Sequence, residues 1–304
     1  MKHLITIGTF DGIHQGHQRL FNLLETQAVF HKLKPLALYF PFPPKTLLSP
    51  HPEMSVLSLP NEKESLFKRL GVSTQALDFA QIRRLSAHQF FNRLLNQFHC
   101  GGILVGADFA FGKNRIGSVD FLRELCTQKE IPLEIAPFYK DGNEKISSSL
   151  IRKLLAQGDI SRATALLGRP YELTGRVVCG HKLGRKLGFP TANLDTGIYK
   201  ILPLGVFAVK VRVGKQIYNG FCNIGFRPTV NPLDTLLPLV EVHIFNFRQS
   251  IYGRKITIWF YEKLRDEIKF GSLEALKNQL LKDKQISQQL LSTVECKKAP
   301  CGGL

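Results

Sequence analysis

The 304-residue chain has only six cysteines, at positions 100, 126, 179, 222, 296 and 301, and neither their spacing nor their density supports a disulfide framework. They read as reduced, mostly buried thiols. Cys296 and Cys301 lie in a polar, Gly-ending tail and could bind metal, but no second pair stands nearby to complete such a site. Long apolar runs are absent, so no segment has the length of a membrane span. A strand-like run begins by residue 4, which leaves no room for the charged and apolar regions of a secretory signal, and a cytoplasmic protein is expected. Internal repeats and low-complexity segments are also missing. Acidic residues are scarce, 24 against 41 Lys and Arg, giving a net charge of +17. That excess is spread along the chain in short pairs such as Arg83-Arg84 and Lys297-Lys298. A nucleic-acid binder would gather it into an arm or stripe, so neither nucleic acid nor membrane is expected as a partner; anionic phosphate substrates account for part of the surplus.

A chain of this length favours two domains. Up to about Gly168, short apolar runs alternate with helical patterns. Leu4–Ile7, Leu36–Phe40, Gly102–Gly106 and Leu133–Ala136 read as strands, Ser86 with Gln89 as a capping box for a helix through Phe98, and Ser118 as the cap of a helix over 119–127. This alternation predicts a parallel sheet covered on both faces, with ligands at the carboxyl ends of its strands. After Pro170 the period changes to strands at 174–179, 206–213, 216–223, 240–247 and 255–261, with one helix over 272–283, which predicts a small antiparallel barrel closed by a C-terminal helix. The expected boundary is Gly168-Arg169-Pro170, giving domains at 1–168 and 169–290 and a tail at 291–304.

Gly8-Thr9-Phe10-Asp11-Gly12-Ile13-His14-Gln15-Gly16-His17 places two imidazoles around a glycine between a buried strand and an amphipathic helix running from Gln18. Backbone N–H groups at a helix start attract anions, Gly16 has no side chain to hold a phosphate away, and His14 and His17 can donate hydrogen bonds to phosphoryl oxygens. The short His-x-x-His spacing alone also fits two solvent-facing histidines. The longer string, with Gly8 and Phe10, resembles the nucleotidyltransferase superfamily and, within it, the bacterial FMN adenylyltransferases, whose paired histidines bind nucleotide phosphates. Ile146-Ser147-Ser148-Ser149-Leu150-Ile151-Arg152 could simply cap a helix, but Arg152 brings a fork suited to a phosphate. The string is similar to the Ile-Ser-Ser-Thr-x-Ile-Arg element of the same enzymes, with Ser149 in place of Thr. Val105 to Gly117 reads as a strand end and a Gly-bounded loop. By resemblance, Asp108 lines the nucleotide and flavin site and Arg115 holds the loop. The chain departs from the family at Phe40-Pro41-Phe42-Pro43, where an acidic residue and a histidine usually stand, so flavin contacts there are expected to differ.

Gly180, Gly184 and Gly188, with Arg185 among them, describe a basic loop able to close over phosphates, although glycines alone describe any loop. Thr191 and Asn193, two apart on an extended segment, project to one side and offer two neutral oxygens suited to a magnesium ion that keeps several waters. Glu241 is an acid in an apolar strand and shares a pleat face with His243, so it could merely face solvent. With Pro190-Thr191-Ala192-Asn193 in place, the segment resembles the riboflavin kinase motif, and the resemblance continues through Gly205-Val206-Phe207, Asn223 to Thr229 and Leu264 to Phe270. In that family the residue matching Glu241 takes the proton from the riboflavin 5′-hydroxyl.

Together the matches follow the order of the bifunctional bacterial riboflavin kinase/FMN adenylyltransferases, or FAD synthetases. The resemblance implies an α/β Rossmann-like nucleotidyltransferase domain followed by a riboflavin kinase-like barrel. It implies ATP and Mg2+, with riboflavin, FMN and FAD as substrates or products. FMN phosphate would attack the α-phosphorus of ATP, a reaction that needs no nucleophile from the protein. Two other readings remain open: a paired-histidine nucleotidyltransferase with another phosphate-bearing acceptor, against which the kinase motif argues, and a non-catalytic flavin- or nucleic-acid-binding regulator. The presence of His14, His17, Thr191, Asn193 and Glu241 together speaks for catalysis.

Overall fold

A computed structural model describes residues 2–52, 54–180, 183–226 and 238–293. Residues 227–229 of the kinase-like string, and Lys297, Lys298, Cys296 and Cys301 of the tail, lie outside the described residues. The chain divides into two compact units, Met1–Pro52 with Val56–Leu150, and Glu53–Ser55 with Ile151–Leu304.

The first unit contains β1 (His3–Gly8), α1 (Gln15–Phe30), β2 (Lys34–Tyr39), α2 (Pro44–Leu48), α3 (Pro60–Arg69), β3 (Thr74–Ala76), α4 (Phe79–Ile82), α5 (Ala87–Gln97), β4 (Cys100–Gly106), α6 (Val119–Gln128), β5 (Leu133–Ala136) and a short hairpin of β6 (Lys140–Asp141) and β7 (Glu144–Lys145). α7 (Ser148–Gln157) begins in this unit and continues into the second. Strands β3-β2-β1-β4-β5 form one parallel sheet in that order. β1 and β4 are buried on both faces, as their mainly apolar runs require, with Thr6 of β1 the buried polar exception. The order reverses at β1, so the crevice beyond the carboxyl ends of β1 and β4 is the topological switch point where such sheets bind ligands. The Ser86–Gln89 box forms reciprocally, Ser86 N to Gln89 Oε1 at 2.8 Å and Gln89 N to Ser86 Oγ at 3.2 Å, and Ser118 caps α6. α1 starts at Gln15 rather than Gln18, because His14 serves as its cap.

The second unit contains α8 (Ile160–Leu167), β8 (Glu172–Val178), α9 (Leu183–Lys186), β9 (Ala192–Asp195), β10 (Gly205–Val213), β11 (Gln216–Gly225), β12 (Leu239–Ile244), β13 (Lys255–Arg265) and α10 (Leu273–Thr293). Six strands close an antiparallel barrel in the order β10-β11-β12-β9-β8-β13. Phe189, Val206, Phe221 and Phe245 form a buried cluster against which Leu280 of α10 packs. α10 runs to Thr293, beyond the expected end at Asp283, because its buried stripe continues through Asp283, Ser287 and Leu291. Two of those three are polar, which hides the periodicity. Asp283 is 1% exposed and takes both sides of the Arg265 guanidinium, Nε to Oδ1 at 3.0 Å and a terminal nitrogen to Oδ2 at 2.7 Å, while Gln279 donates to Oδ1 at 2.9 Å. A fully partnered buried pair of this kind fixes α10 on β13.

Candidate active sites

The turn after β1 folds back sharply. Phe10, Gly12 and Ile13 have φ of 45°, 79° and 38°, and a branched residue such as Ile13 enters this region only where its surroundings enforce it. The enforcement comes from distant segments. Asp11, fully buried, accepts from Leu57 N at 3.0 Å, Ser58 N at 3.0 Å and Ser58 Oγ at 3.1 Å, and Ser58 Oγ in turn accepts from Gly12 N at 2.9 Å. Lys63, also fully buried, donates to the carbonyls of Thr9 (2.8 Å), Phe40 (2.9 Å) and Pro41 (3.0 Å), so one ammonium joins the ends of β1 and β2. Ser148 Oγ donates to Asp11 O at 2.9 Å.

Held this way, the turn delivers both imidazoles to the head of α1. His14 caps the helix, its Nδ1 accepting from His17 N at 3.3 Å, which leaves the ring proton on Nε2. The His14 and His17 rings stack with centroids 3.6 Å apart, and Phe10 meets His17 edge-on at 5.3 Å. Gly16 leaves room for this stack, since a Cβ there would stand 3.2 Å from the His14 ring; at Gly8 a Cβ would stand 2.7 Å from the Phe10 ring. Two imidazoles thus stand together at the head of a 16-residue helix, where the helix dipole attracts an anion.

The other first-half residues take distinct places. Ser147 Oγ accepts from Leu150 N at 3.2 Å, Ser149 is exposed, and Arg152, in the second unit, donates its Nε to Ser55 O at 2.8 Å. Asp108 follows β4 at the crevice and pairs with Lys145 Nζ of the hairpin at 2.5 Å. The loop beyond it is closed by Phe111 and Gly117, which exchange main-chain bonds at 3.0 Å, while Arg115 is exposed. Phe40, Pro41 and Phe42, with Leu47, Leu77 and Phe79, line an apolar cavity of about 350 Å³.

In the barrel the site is set by register. Asn193 of β9 stands opposite Glu241 of β12, and Glu241 stands opposite Asn223 of β11, so the three side chains form one row on one face. A Cβ on Gly180 would overlap the Asn193 amide, and one on Gly184 would overlap the Phe189 carbonyl and lie 3.6 Å from Thr191 Oγ1. The glycine loop therefore lies directly on the Thr-Asn pair, with Arg185 exposed on the single turn of α9 and Gly188 at φ 84° behind it. Asn193 is 7% exposed, and its Oδ1 is buried with no hydrogen-bond donor among the described residues. A neutral oxygen without a donor, beside the Thr191 hydroxyl, is a donor set that fits a hard cation such as magnesium. Two residues along β12 from Glu241, His243 Nδ1 donates to Pro190 O at 2.8 Å and ties down the start of the Thr-Asn segment. Burial among Phe189, Phe221 and Phe245 holds the His243 ring below the usual histidine range, and Lys284 adds to the effect.

The motifs alone did not point to Asp11, Ser58, Lys63, Asn223 or His243 as parts of these sites. Cys100, Cys126 and Cys222 are buried and Cys179 exposed; burial pushes the Cys100 thiol up to about 12 and Cys126 to about 11, so neither supplies a thiolate at neutral pH.

A family model described as FAD synthetase matches residues 1–150, and one described as riboflavin kinase matches residues 167–291. Proteins named bifunctional riboflavin kinase/FMN adenylyltransferase are similar along nearly the whole length. The Haemophilus influenzae protein is 35% identical over 296 residues, covering 95% of this chain and 94% of the relative. The Bacillus subtilis protein is 35% identical over 294 residues, covering 93% and 91%. A solved structure from Streptococcus pneumoniae, described as a macrolide-efflux protein, superimposes with a TM-score of 0.84 at 33% identity, covering 94% of each chain. Among the described residues here, no helix is long and apolar enough to cross a membrane.

Proposed function

The chain belongs to the bifunctional riboflavin kinase/FMN adenylyltransferase family, and from that premise we propose how its residues divide two reactions. In the barrel, assigned to residues 169–290, riboflavin and ATP give FMN and ADP. In the sheet domain, assigned to residues 1–168, FMN and ATP give FAD and pyrophosphate. No role is assigned to the tail, 291–304.

In the kinase step the Glu241 carboxylate accepts the proton of the riboflavin 5′-hydroxyl as that oxygen bonds to the γ-phosphorus of ATP and the bond to the β-phosphate oxygen breaks. Gly180, Gly184 and Gly188 let the loop backbone approach the phosphates, and Arg185 supplies charge there. Thr191 and Asn193 would hold a magnesium ion, which neutralises phosphate charge when bound. In the adenylyl step an oxygen of the FMN phosphate bonds to the α-phosphorus and pyrophosphate leaves. His14 Nε2–H and His17 donate to the phosphoryl oxygens as charge builds, with Gly8, Phe10 and Gly16 shaping the turn and Ser148, Ser149 and Arg152 on the helix that follows. Asp108 is assigned to the nucleotide and flavin side of the crevice. The apolar cavity at Phe40–Phe42 suits a flat flavin ring, and its aromatic walls replace the polar contacts usual in the family. The substrates are small molecules, with neither nucleic acid nor membrane required, and the working compartment is the cytoplasm.

The single observation that carries this reading is the presence of two separate constellations, stacked imidazoles at a helix head and a carboxylate between two asparagines on a barrel wall. Purified protein incubated with riboflavin, ATP and magnesium should yield FMN first and FAD after it, with ADP and pyrophosphate as co-products. Flavins that emerge unchanged would overturn the reading.

A further inference from the structure

The row across β9, β12 and β11 contains one residue that the two reactions as described leave unused. Asn223 stands directly opposite Glu241, on the flank away from Asn193, one strand spacing of roughly 4.8 Å further along the sheet. Its Oδ1 is buried and, like that of Asn193, has no hydrogen-bond donor among the described residues. Burying an amide oxygen without a donor is costly, and such an atom persists where a ligand completes it.

The two flanks of Glu241 differ in what they can bind. On the β9 side the glycine loop lies against Asn193 and Thr191, which makes that flank the phosphate and cation side. A base positioned between donor and acceptor leaves the β11 flank for the acceptor alcohol. That flank carries two acceptors: the buried Asn223 amide oxygen and, two residues along the same face, the exposed Glu267 carboxylate, which lies where a Cβ on Gly225 would be. A phosphate would be repelled by this pair. A chain of hydroxyl groups would satisfy it, since each hydroxyl brings a donor.

We propose that Asn223 binds the acceptor's polyhydroxyl chain, its Oδ1 accepting a hydrogen bond from the secondary hydroxyl next to the carbon that is phosphorylated, the 4′-hydroxyl of riboflavin. This rests on the kinase reading above. Asn223 thereby fixes the direction from which the 5′-oxygen reaches the phosphorus, and it selects acceptors that carry the neighbouring hydroxyl. A site built around a substrate hydroxyl rejects an analogue that lacks it far more strongly than an apolar pocket rejects an altered one.

The test uses the full-length protein, ATP and magnesium, with riboflavin and 4′-deoxyriboflavin as competing acceptors. Wild-type protein should prefer riboflavin. Asn223→Ala should lower kcat/KM for riboflavin by roughly 10- to 100-fold, consistent with one lost hydrogen bond at the reacting centre, and should process the two acceptors almost equally. The KM for ATP and the magnesium dependence should stay unchanged. Wild-type kinetics in Asn223→Ala, undiminished preference for riboflavin in that variant, or a parallel rise in the magnesium requirement would each overturn the proposal. Should Asn223→Ala fail to fold, Asn223→Ser replaces it with the same expected and overturning results. Absence of riboflavin phosphorylation by the wild type would remove the kinase reading and this inference together, whereas wild-type turnover with an indifferent Asn223 removes this inference alone.

Discussion

The two proposed sites would present ATP to a flavin oxygen on opposite structural terms. In the sheet domain the side chains assigned to catalysis sit on an irregular turn whose backbone is held from outside, by the buried carboxylate of Asp11 and the buried ammonium of Lys63. In the barrel they sit on neighbouring strands, and the ladder register itself aligns Asn193, Glu241 and Asn223. A turn-built site can aim several N–H groups at one anion but depends on distant clamps. A ladder-built site aligns its row by register and needs only the short His243–Pro190 tether at its edge, yet tolerates no added bulk where a loop must lie against it. The sharpest break of this comparison separates the activities. Glu241→Gln should lower FMN formation by about 10²- to 10⁴-fold, the usual contribution of a positioned base, while FMN supplied directly is still converted to FAD. His17→Ala should do the reverse. Flavin chromatography of both well-folded variants checks this, and loss of both activities in either one would contradict the division.

The next largest effect should fall on stability, and on the turn-built site only. Lys63→Met removes the donor from three carbonyls at once and should cost the sheet domain about 3 kcal/mol, read as an earlier urea transition together with lost adenylyl transfer. Riboflavin phosphorylation should survive in the same sample. Equal loss of both activities would mean that the clamp is not local to the first site. A smaller and purely kinetic effect is expected in the barrel. Gly180→Ala places a methyl group where the Asn193 amide now lies, and should lower kinase kcat/KM by roughly tenfold through displacement of the loop or the amide, with adenylyl transfer unchanged. Wild-type kinase kinetics in Gly180→Ala would show that the close approach is dispensable.

These differences also decide what could be read from the chain before folding. The parallel order and the barrel followed from period: β1 and β4 are mainly apolar runs without alternation, and the later strands lie between Gly, Pro and Asn turns. β3 escaped notice because three residues carry no period, and the last turns of α10 because Asp283 and Ser287 occupy its buried stripe. The imidazole pair was legible because both rings and the helix they head lie within one short string. Asp11 belongs to that string, but its partners, Leu57 and Ser58, are 46 and 47 residues away, so its role as a clamp is a tertiary fact. Lys63 carried one faint signal, a cation in the first turn of a helix, where the macrodipole disfavours it. Asn223 was legible only as the first residue of a string that resembles the riboflavin kinases; its place beside Glu241 depends on which residue faces it across the ladder.

The smallest effect is a pH dependence confined to the ladder-built site. His243 stays neutral in the fold because burial holds its ring below the usual range, whereas the unfolded chain titrates near 6.5. As pH falls below that value the unfolded state takes up the proton first, so stability declines with falling pH until the folded value is reached. One proton limits the slope to about 1.4 kcal/mol per pH unit. His243→Asn retains an N–H for the Pro190 carbonyl but cannot titrate. Urea midpoints of the barrel transition between pH 7.5 and 5.5 should therefore fall less in His243→Asn than in the wild type, while the sheet-domain transition keeps the same profile in both. Parallel profiles for the barrel would show that the Pro190 tether holds a histidine whose proton affinity the fold leaves unchanged, and that the ladder, like the turn, draws its pH response from elsewhere.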